Sequence, residues 1–244
     1  MKKYGLIGYP LSHSFSQKYF TEKFKKEGLE NYSYDNFQLK DLDHLKEKIK
    51  ENNLAGFNIT IPHKQSVVSF LDFKDDVVAK INACNCVKID GNKWLGYNTD
   101  VIGFQKSFSV NLLGHHSDAL ILGTGGSSKA IAFVLKKLNI NFLFVSTSKT
   151  GENIIGYDKI DAQLLKKYTI VINTTPVGMY PNINECPQLL YQFITDKHYF
   201  FDLTYNPAKT LFLKKAEQHG AIIKNGSDML IIQAEESWKI WNSV

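Results

Sequence analysis

The segment Asp118–Ala130, with the sequence DALILGTGGSSKA, decides the fold. The four apolar residues after Asp118 are typical of a short buried strand, and they lead directly into glycines and an amphipathic stretch. Glycines at such a junction permit a tight turn and close approach of the backbone to a pyrophosphate, whose charge a helix N-terminus stabilises. The third glycine of the GxGxxG pattern is missing, and Ala130 is the small residue expected there. We interpret the segment as a dinucleotide-binding turn of Rossmann type; an ordinary strand-to-helix turn is the alternative.

The residues after the next apolar run bear on which dinucleotide is bound. That run ends at Ser146, Thr147, Ser148 and Lys149. An NAD-binding domain is expected to carry Asp or Glu here, where the carboxylate accepts a hydrogen bond from the ribose 2′-hydroxyl. Hydroxyls and a lysine suit a 2′-phosphate better, so the pattern favours NADP over NAD. A solvated polar loop remains the alternative.

The rest of the chain alternates short apolar runs with amphipathic stretches, which predicts an α/β fold with a mostly parallel sheet. The dipeptide Asn206-Pro207 predicts a helix start, with Asn as the N-cap and Pro at the first helical position. Strands are predicted at 4–8, 32–39, 57–61, 84–89, 94–97, 118–123, 142–146, 169–173, 199–203 and 221–224, and helices at 15–27, 41–52, 100–112, 127–138, 208–219 and 229–241, with a further helical region up to about residue 83.

This pattern predicts two lobes. Residues 1–100 form an N-terminal α/β domain, and residues 101–228 form a Rossmann-like dinucleotide-binding domain. The segment 229–244 is expected to be a C-terminal helix that packs back on the first lobe, because Trp238 and Trp241 need cover from water.

Composition excludes several classes of function. All 29 basic residues are lysines, and without arginine the scattered positive charge offers no bidentate base contacts, so no nucleic-acid partner is expected. A substrate carboxylate must then be held by lysine, hydroxyl, amide or backbone N–H groups. No apolar run reaches about 18 residues, so no membrane span is expected. Three cysteines without a CxxC pattern indicate reduced thiols in the cytoplasm and no metal site.

A second set of polar residues lies at strand ends in the first hundred residues. Ser14 and Ser16 lie between a strand and a helix, where hydroxyls can bind an anion or serve as N-caps. Lys64 follows a strand that stops at a proline; taken alone, it would be read as a solvated lysine. Asp100 opens a helix and could be only an N-cap, and Asn85 lies in the preceding strand region.

Seven segments, taken together and in order, resemble the shikimate dehydrogenase family. Each is weak alone, but in register they span nearly the whole chain and are specific. The segments are GYPLSHSFS at 8–16, GFNITIPHK at 56–64, GYNTD at 96–100, GTGG at 123–126, NTTPVGM at 173–179, DLTY at 202–205 and NGSDMLIIQA at 225–234.

The resemblance implies a reversible, NADPH-dependent reduction of 3-dehydroshikimate to shikimate, within chorismate and aromatic amino acid biosynthesis in the cytoplasm. It assigns substrate binding to residues 1–100 and NADP binding to residues 101–228. Lys64 and Asp100 become the catalytic pair, which also binds ring hydroxyls. The other implied substrate contacts are Ser14, Ser16, Asn58, Thr60, Asn85, Tyr205 and Gln233. The implied cofactor contacts are Gly123, Thr124, Gly125, Gly126, Ser127, Ser146, Thr147, Ser148, Lys149, Thr174, Leu203 and Met229.

One departure from the family leaves cofactor preference open. Many members follow the second Rossmann strand with Asn-Arg-Ser or Asn-Arg-Thr, whose arginine meets the 2′-phosphate, whereas this chain leaves Lys149 as the best remaining cation. An NAD-using quinate/shikimate dehydrogenase is therefore the nearest alternative. The serine pair argues against a folate dehydrogenase of similar architecture. The presence of Lys64 and Asp100 argues against a non-catalytic dinucleotide-binding protein. Monomer and homodimer are both open.

Overall fold

The computed structural model describes residues 1–11 and 14–243. It divides the chain into two compact units, which we call unit 1 (Met1–Asp100 with Gln233–Val244) and unit 2 (Val101–Ile232). Each unit contains its own six-stranded sheet with helices, so the predicted α/β class is confirmed. In the described part of the chain, no helix has both the length and the apolarity needed to cross a bilayer.

Unit 1 is built on a mixed sheet. Its strand order is β2-β1-β3-β5-β6-β4, with β1 parallel to β2 and β3, and β5 antiparallel to β3 and β6. The elements are β1 (Lys2–Gly8), α1 (Phe15–Lys26), β2 (Tyr32–Gln38), α2 (Leu45–Glu51), β3 (Leu54–Ile59), a 3-10 helix (Ser66–Phe70), β4 (Phe73–Lys74), α3 (Asp76–Ile81), β5 (Cys86–Asp90) and β6 (Lys93–Tyr97).

Two predicted helices in unit 1 differ from the structure. Helix α2 begins at Leu45 rather than near residue 41, because the Asp41 carboxylate accepts the N–H of Asp43 and forms a turn that competes with the helix. The helical region predicted before residue 83 is interrupted by β4. Its flanking residue Asp72 donates its N–H to the Trp94 carbonyl, and this pairing with β6 replaces helical bonds.

Unit 2 contains a fully parallel sheet of order β12-β11-β10-β7-β8-β9, which is the Rossmann order with its reversal between β7 and β10. The connections from β8 to β9 and from β10 to β11, all within described residues, contain no α-helix. The elements from residue 100 onward are α4 (Asp100–Ser109), β7 (Asp118–Leu122), α5 (Gly126–Lys137), β8 (Asn141–Val145), β9 (Ile154–Ile155), α6 (Ala162–Lys167), β10 (Ile170–Asn173), β11 (Tyr199–Asp202), α7 (Leu211–Gln218), β12 (Ile222–Asn225) and α8 (Ser227–Asn242), with 3-10 helices at Tyr157–Lys159 and Tyr191–Phe193. Asp100 and the part of α8 from Gln233 belong to unit 1.

The predicted start of the helix at Asn206-Pro207 is wrong. Helix α7 begins at Leu211 with Thr210 as its N-cap, whose hydroxyl oxygen accepts the N–H of Leu213 at 3.4 Å. The same hydroxyl donates to the buried carboxylate of Asp202 at 2.6 Å. Thr210 therefore both caps α7 and joins it to the end of β11, and the pattern at Asn206-Pro207 does not mark the helix start.

The C-terminal part of α8 belongs to unit 1 and packs within it, as predicted. Trp241 stacks on Tyr4 with a ring-centroid distance of 4.5 Å, and its indole N–H donates to the Val87 carbonyl at 3.0 Å. Trp238 contacts Tyr4 edge to face. These rings share one apolar cluster with residues of β1, β2 and α1.

Candidate active site

The centre of the polar residues in unit 1 is an ion pair between Lys64 and Asp100. The Lys64 Nζ lies 2.6 Å from the Asp100 Oδ2, and both side chains are largely shielded from solvent. Lys64 follows the end of β3, and Asp100 is the first residue of α4. A lysine held in this way presents an ammonium at a fixed position, which a mobile surface lysine does not do.

The backbone at Lys64 is anchored on both sides. The Lys64 carbonyl accepts the N–H of Cys84 at 2.8 Å. The preceding residue, His63, is buried, and its Nε2 lies 2.7 Å from the Leu39 carbonyl oxygen. Because a carbonyl can only accept, Nε2 must carry the hydrogen, which assigns the tautomer. Sequence reasoning missed His63, although its position between Pro62 and Lys64 is a signal for such a role.

Both carboxylate oxygens of Asp100 have donors. Lys64 bonds Oδ2, and the Asn85 Nδ2 donates to Oδ1 at 2.9 Å. The Asn85 Oδ1 in turn accepts the N–H of Thr99 at 2.7 Å. Asn85 therefore fixes the orientation of the carboxylate and, through it, the direction of the lysine.

Asn58 has its amide engaged within the protein. Its Nδ2 donates to the Asn85 carbonyl at 3.0 Å and to the Ser237 hydroxyl at 2.9 Å, and its Oδ1 accepts the hydroxyl of Tyr34 at 2.9 Å. Both amide hydrogens are thus used, so only a carbonyl lone pair is left for a ligand. The structure gives this residue a supporting part in the network.

Tyr34, Thr99 and Ser237 extend the network and were missed by sequence reasoning. The Thr99 Oγ1 lies 3.2 Å from the Ser237 hydroxyl and 3.4 Å from the Gln233 Oε1. Ser237 and Gln233 are one helical turn apart on α8. The available signal was this polar pair at i and i+4 within an otherwise apolar helix face.

The remaining substrate candidates of unit 1 lie at the ends of β1 and β3. Ser14 is the N-cap of α1, with its hydroxyl oxygen 3.4 Å from the Gln17 nitrogen, so the capping alternative holds for it. Ser16 is buried beside Tyr34: burial raises the pKa of that phenol well above its ordinary value, and the Ser16 hydroxyl opposes the rise. Thr60 donates its N–H to the Ile7 carbonyl at 2.9 Å. Ser12 and His13 of the same motif lie outside the described residues.

In unit 2 the glycine turn lies where the strand order reverses. Gly123 has a φ of +105°, and a Cβ there would lie 2.8 Å from the Thr174 Oγ1, so only glycine fits. The Gly123 N–H donates to the Val145 carbonyl at 2.9 Å, and the Thr174 hydroxyl donates to the Leu122 carbonyl at 2.7 Å. These bonds hold together the carboxyl ends of β7, β8 and β10, the edge at which open α/β sheets bind ligands.

The N-terminus of α5 is suited to a pyrophosphate. Gly125 is the N-cap, and it has no side chain to accept a capping bond from the N–H groups of the first turn. A Cβ on Gly125 would meet nothing within 4 Å, so the approach from solvent is open. Thr124 and Ser127 lie on either side of Gly125 and Gly126 in this turn. The first-turn N–H groups, which have no partner within the helix ladder, and the helix dipole favour an anion here.

The loop after β8 is folded by one hydroxyl. The Ser146 Oγ accepts the N–H of Ser148 at 3.3 Å and the N–H of Lys149 at 2.9 Å, while the side chains of Thr147, Ser148 and Lys149 are exposed. The loop therefore presents hydroxyls and an ammonium to solvent next to the glycine turn.

The last candidates surround Asp202 at the end of β11. Its buried carboxylate accepts from Thr210, Thr204 and Asn173 at 2.6, 2.9 and 3.1 Å. Leu203 is joined to the end of β10 through a 3.0 Å bond from its N–H to the Asn173 carbonyl. Sequence reasoning missed Asp202, which fixes the loop bearing Leu203 and the half-buried Tyr205. Met229 is buried in the first turn of α8.

The chain is similar to known proteins of one family along nearly its whole length. The family model of the shikimate dehydrogenase substrate binding domain matches residues 6–87. The shikimate dehydrogenase (NADP(+)) of Caldicellulosiruptor saccharolyticus is 37% identical over 259 residues, which cover 99% of this chain and 92% of that protein. A shikimate dehydrogenase crystallised with NADP+ superposes with a TM-score of 0.86 at 34% identity, covering 100% of this chain and 91% of the other. The Thermus thermophilus enzyme in complex with NADP(H) and shikimate gives a TM-score of 0.87 at 25% identity, with 100% and 94% coverage.

Proposed function

This chain belongs to the shikimate dehydrogenase family, and from that premise we propose that it catalyses the reversible reduction of 3-dehydroshikimate to shikimate with NADPH. The observation that carries the proposal is the shielded ion pair of Lys64 and Asp100, oriented by Asn85. The reaction belongs to aromatic amino acid biosynthesis, the role known for this family.

The chemistry required of the protein is proton transfer and charge stabilisation. The nicotinamide cofactor supplies the hydride in one direction and accepts it in the other. As the ring carbonyl is reduced, negative charge develops on its oxygen, and the Lys64 ammonium stabilises that charge and donates the proton. Asp100 keeps the ammonium directed at this oxygen and accepts a hydrogen bond from a ring hydroxyl.

Substrate binding is assigned to residues of unit 1 together with Tyr205. As the family resemblance implies, the substrate carboxylate is bound by the hydroxyls of Ser14 and Ser16 with Tyr205 nearby, which agrees with the absence of arginine from the chain. Thr60 and Gln233 contact the ring hydroxyls. Asn85 and Asn58 complete this set, and the engagement of the Asn58 amide favours an indirect contribution from that residue.

Cofactor binding is assigned to unit 2, with the pyrophosphate at the glycine turn and the nicotinamide end near Thr174, Leu203 and Met229. The narrow space at Gly123 and the uncapped start of α5 support this assignment. The loop 146–149 takes the 2′-phosphate of NADP.

The setting proposed for the reaction is the cytoplasm, with small-molecule partners. All three cysteines are free thiols, as expected in a reducing compartment. One copy of the chain supplies every residue assigned here, so the proposal holds for a monomer and for a homodimer.

The first test follows reduced nicotinamide when the purified protein is mixed with shikimate and NADP+. Quinate and NAD+ are the parallel substrate and cofactor. Turnover with shikimate and NADP+ supports the proposal, and comparable rates with NAD+ or quinate would favour the quinate/shikimate alternative. A folded protein that binds cofactor but turns over none of these combinations contradicts the assigned activity.

The second test replaces the proposed proton donor. Lys64→Ala is expected to lower kcat by about 100-fold or more, as for loss of a general acid, with a much smaller change in KM. Lys80→Ala is the matched control, because Lys80 is an exposed lysine on α3 of the same unit. An unchanged kcat in Lys64→Ala would remove this residue from the mechanism.

A further inference from the structure

Ser237 on α8 carries a fully buried hydroxyl that the proposed mechanism does not use. Its oxygen lies 2.9 Å from the backbone carbonyl oxygen of Gln233, one helical turn earlier. Because a carbonyl can only accept, the single hydrogen of the Ser237 hydroxyl is donated to Gln233. Toward the amide and hydroxyl groups that approach it from the sheet side, the Ser237 oxygen therefore acts as an acceptor.

Two such groups reach this oxygen. The Asn58 Nδ2 donates to it at 2.9 Å. The Thr99 Oγ1 lies 3.2 Å away, and the distance does not tell which hydroxyl is the donor. Because the Ser237 hydrogen is already bonded to the Gln233 carbonyl, Thr99 must be the donor. The direction of this bond leaves the lone pairs of the Thr99 oxygen to face Asn85.

Thr99 holds the Asn85 amide at both ends. Its Oγ1 accepts from the Asn85 Nδ2 at 3.0 Å, and its backbone N–H donates to the Asn85 Oδ1 at 2.7 Å. The Asn85 Nδ2 also donates to the Asp100 Oδ1 at 2.9 Å, and Asp100 is paired with Lys64. A continuous set of hydrogen bonds with defined directions thus connects Ser237 to the Lys64 ammonium.

Loss of the Ser237 oxygen would change the direction of these bonds. The Thr99 hydrogen would turn to the nearest remaining acceptor, the Asn85 Oδ1 at 3.3 Å. The lone pair that accepts from the Asn85 Nδ2 would then turn away, and the amide would lose one of its two anchors. The side chains of Thr99, Asn85 and Asp100 are all buried, so bulk water does not replace the lost bonds.

We propose that Ser237 is a positioning residue for proton transfer, which acts through Thr99 and Asn85. It holds the Asp100 carboxylate, and thereby the Lys64 ammonium, in the reactive direction. The inference rests on the proposed function, because Lys64 is the proton donor assigned there. It gives the C-terminal helix a part in the chemistry as well as in the packing of unit 1.

The first readout is the reactivity of Lys64, which requires no turnover. Limited acetylation with acetic anhydride, followed by mass spectrometry, measures the labelling of Lys64 relative to the exposed Lys80. In Ser237→Ala the ion pair is held less firmly, so this ratio is expected to rise about threefold or more. Thr21→Ala is the matched control and should leave the ratio unchanged. The Thr21 hydroxyl makes the same bond to a carbonyl one turn earlier, but on an exposed helix face.

The second readout is a double-mutant cycle on shikimate oxidation with NADP+. Ser237→Ala and Thr99→Val are each expected to lower kcat about tenfold, with KM for shikimate changed by less than about threefold. The double variant is expected to have the kcat of either single variant, because both changes interrupt the same set of bonds. A merely structural role would lower the free energy of unfolding in urea and leave kcat unchanged. Thr99→Val tests the same bonds if Ser237→Ala does not fold.

The outcomes separate this inference from the proposed function. Unchanged labelling of Lys64 in folded Ser237→Ala, or independent losses of kcat that multiply in the double variant, would overturn the positioning role while the dehydrogenase activity stands. A wild-type protein that does not oxidise shikimate, but in which Ser237→Ala raises the labelling of Lys64, would support the positioning of the lysine and contradict the proposed activity.

Discussion

Asp202 is the buried carboxyl group with the clearest thermodynamic consequence. Burial raises its pKa from the ordinary value of 3.8 to about 6, although hydrogen bonds from Thr210, Thr204 and Asn173 oppose the rise. The Asp202 carboxylate accepts a hydrogen bond from Thr210, which joins the end of β11 to the start of α7. The buried charge lowers stability at neutral pH, and the same carboxylate holds the loop that carries Leu203 and Tyr205 in place.

The shifted pKa predicts how stability changes with pH. Between 3.8 and about 6 the folded state binds more protons than the unfolded state, so the contribution of Asp202 to stability is full at low pH and is lost as the pH rises through about 6. From pH 4.5 to 7.5 the loss amounts to about 2 kcal/mol. In Asp202→Asn the amide keeps one acceptor oxygen and offers an N–H to Thr210, but it does not titrate. The free energy of unfolding of this variant, measured in urea, should therefore lack this decline between pH 4.5 and 7.5.

Asp158→Asn is the control, because this carboxyl group of unit 2 is 71% exposed. Its unfolding free energy should follow that of the wild type at both pH values. If Asp202→Asn also follows the wild type from pH 4.5 to 7.5, the carboxyl group does not titrate as the burial requires.

The residue scale also shows what the sequence can and cannot identify at the candidate site. The resemblance of seven segments taken together identifies Lys64 and Asp100 as a pair, which the strand ends alone do not, and the two side chains lie 2.6 Å apart in the structure. It does not identify Ser237, whose partner Asn58 is 179 positions away. A hydroxyl that acts through a distant amide leaves no local pattern, and its importance appears only when α8 is packed on the sheet.

At the scale of elements, Trp241 is a central apolar contact between the C-terminal part of α8 and the sheet of unit 1. The ring is buried against Tyr4, and the indole N–H bonds the Val87 carbonyl. Gly56 lies beneath the ring, and a Cβ there would lie 2.6 Å from the indole nitrogen. The close contact between α8 and the sheet thus depends on glycine at position 56, because a side chain there would occupy the space of the Trp241 ring.

Trp241→Ala is expected to lower the free energy of unfolding by about 3–5 kcal/mol, the usual cost of truncating a buried aromatic residue. Trp241→Phe keeps the stacking and leaves the Val87 carbonyl without its donor, so a loss of about 1–3 kcal/mol is expected. Urea unfolding measures both. Ile231→Ala, at an exposed position of the same helix, should change stability by less than about 0.5 kcal/mol. A Trp241→Ala variant as stable as that control would show that the helix is attached by other contacts.

The predicted elements agree best with the structure where periodicity is strong and worst where an element depends on its neighbours. Strands β1, β2, β7 and β11 lie within two residues of their predicted bounds at each end. Strand β9 has two residues and is defined by pairing with β8, so the sequence contains no period to reveal it. Helix α7 starts late because the buried Asp202 fixes its cap.

For the whole molecule, local sequence patterns predict the fold class, whereas the chain topology determines the strand order. Alternation of strands and helices predicts a parallel α/β domain, and the structure confirms this class. The strand order in unit 2 follows from connection rules for parallel strands, which no single segment encodes. The mixed sheet of unit 1 depends on the hairpin of β5 and β6 and on the antiparallel pairing of β5 with β3.

The two units contain separate apolar cores, and all three tryptophans, Trp94, Trp238 and Trp241, belong to unit 1. Tryptophan emission therefore reports the unfolding of unit 1, whereas far-UV ellipticity reports both units.

Because NADP+ is proposed to bind unit 2, a concentration of 100 times its Kd should stabilise that unit by about 2.7 kcal/mol. In urea the ellipticity curve should then move to higher denaturant more than the emission curve. Equal shifts of both curves would show instead that the units unfold as one cooperative body.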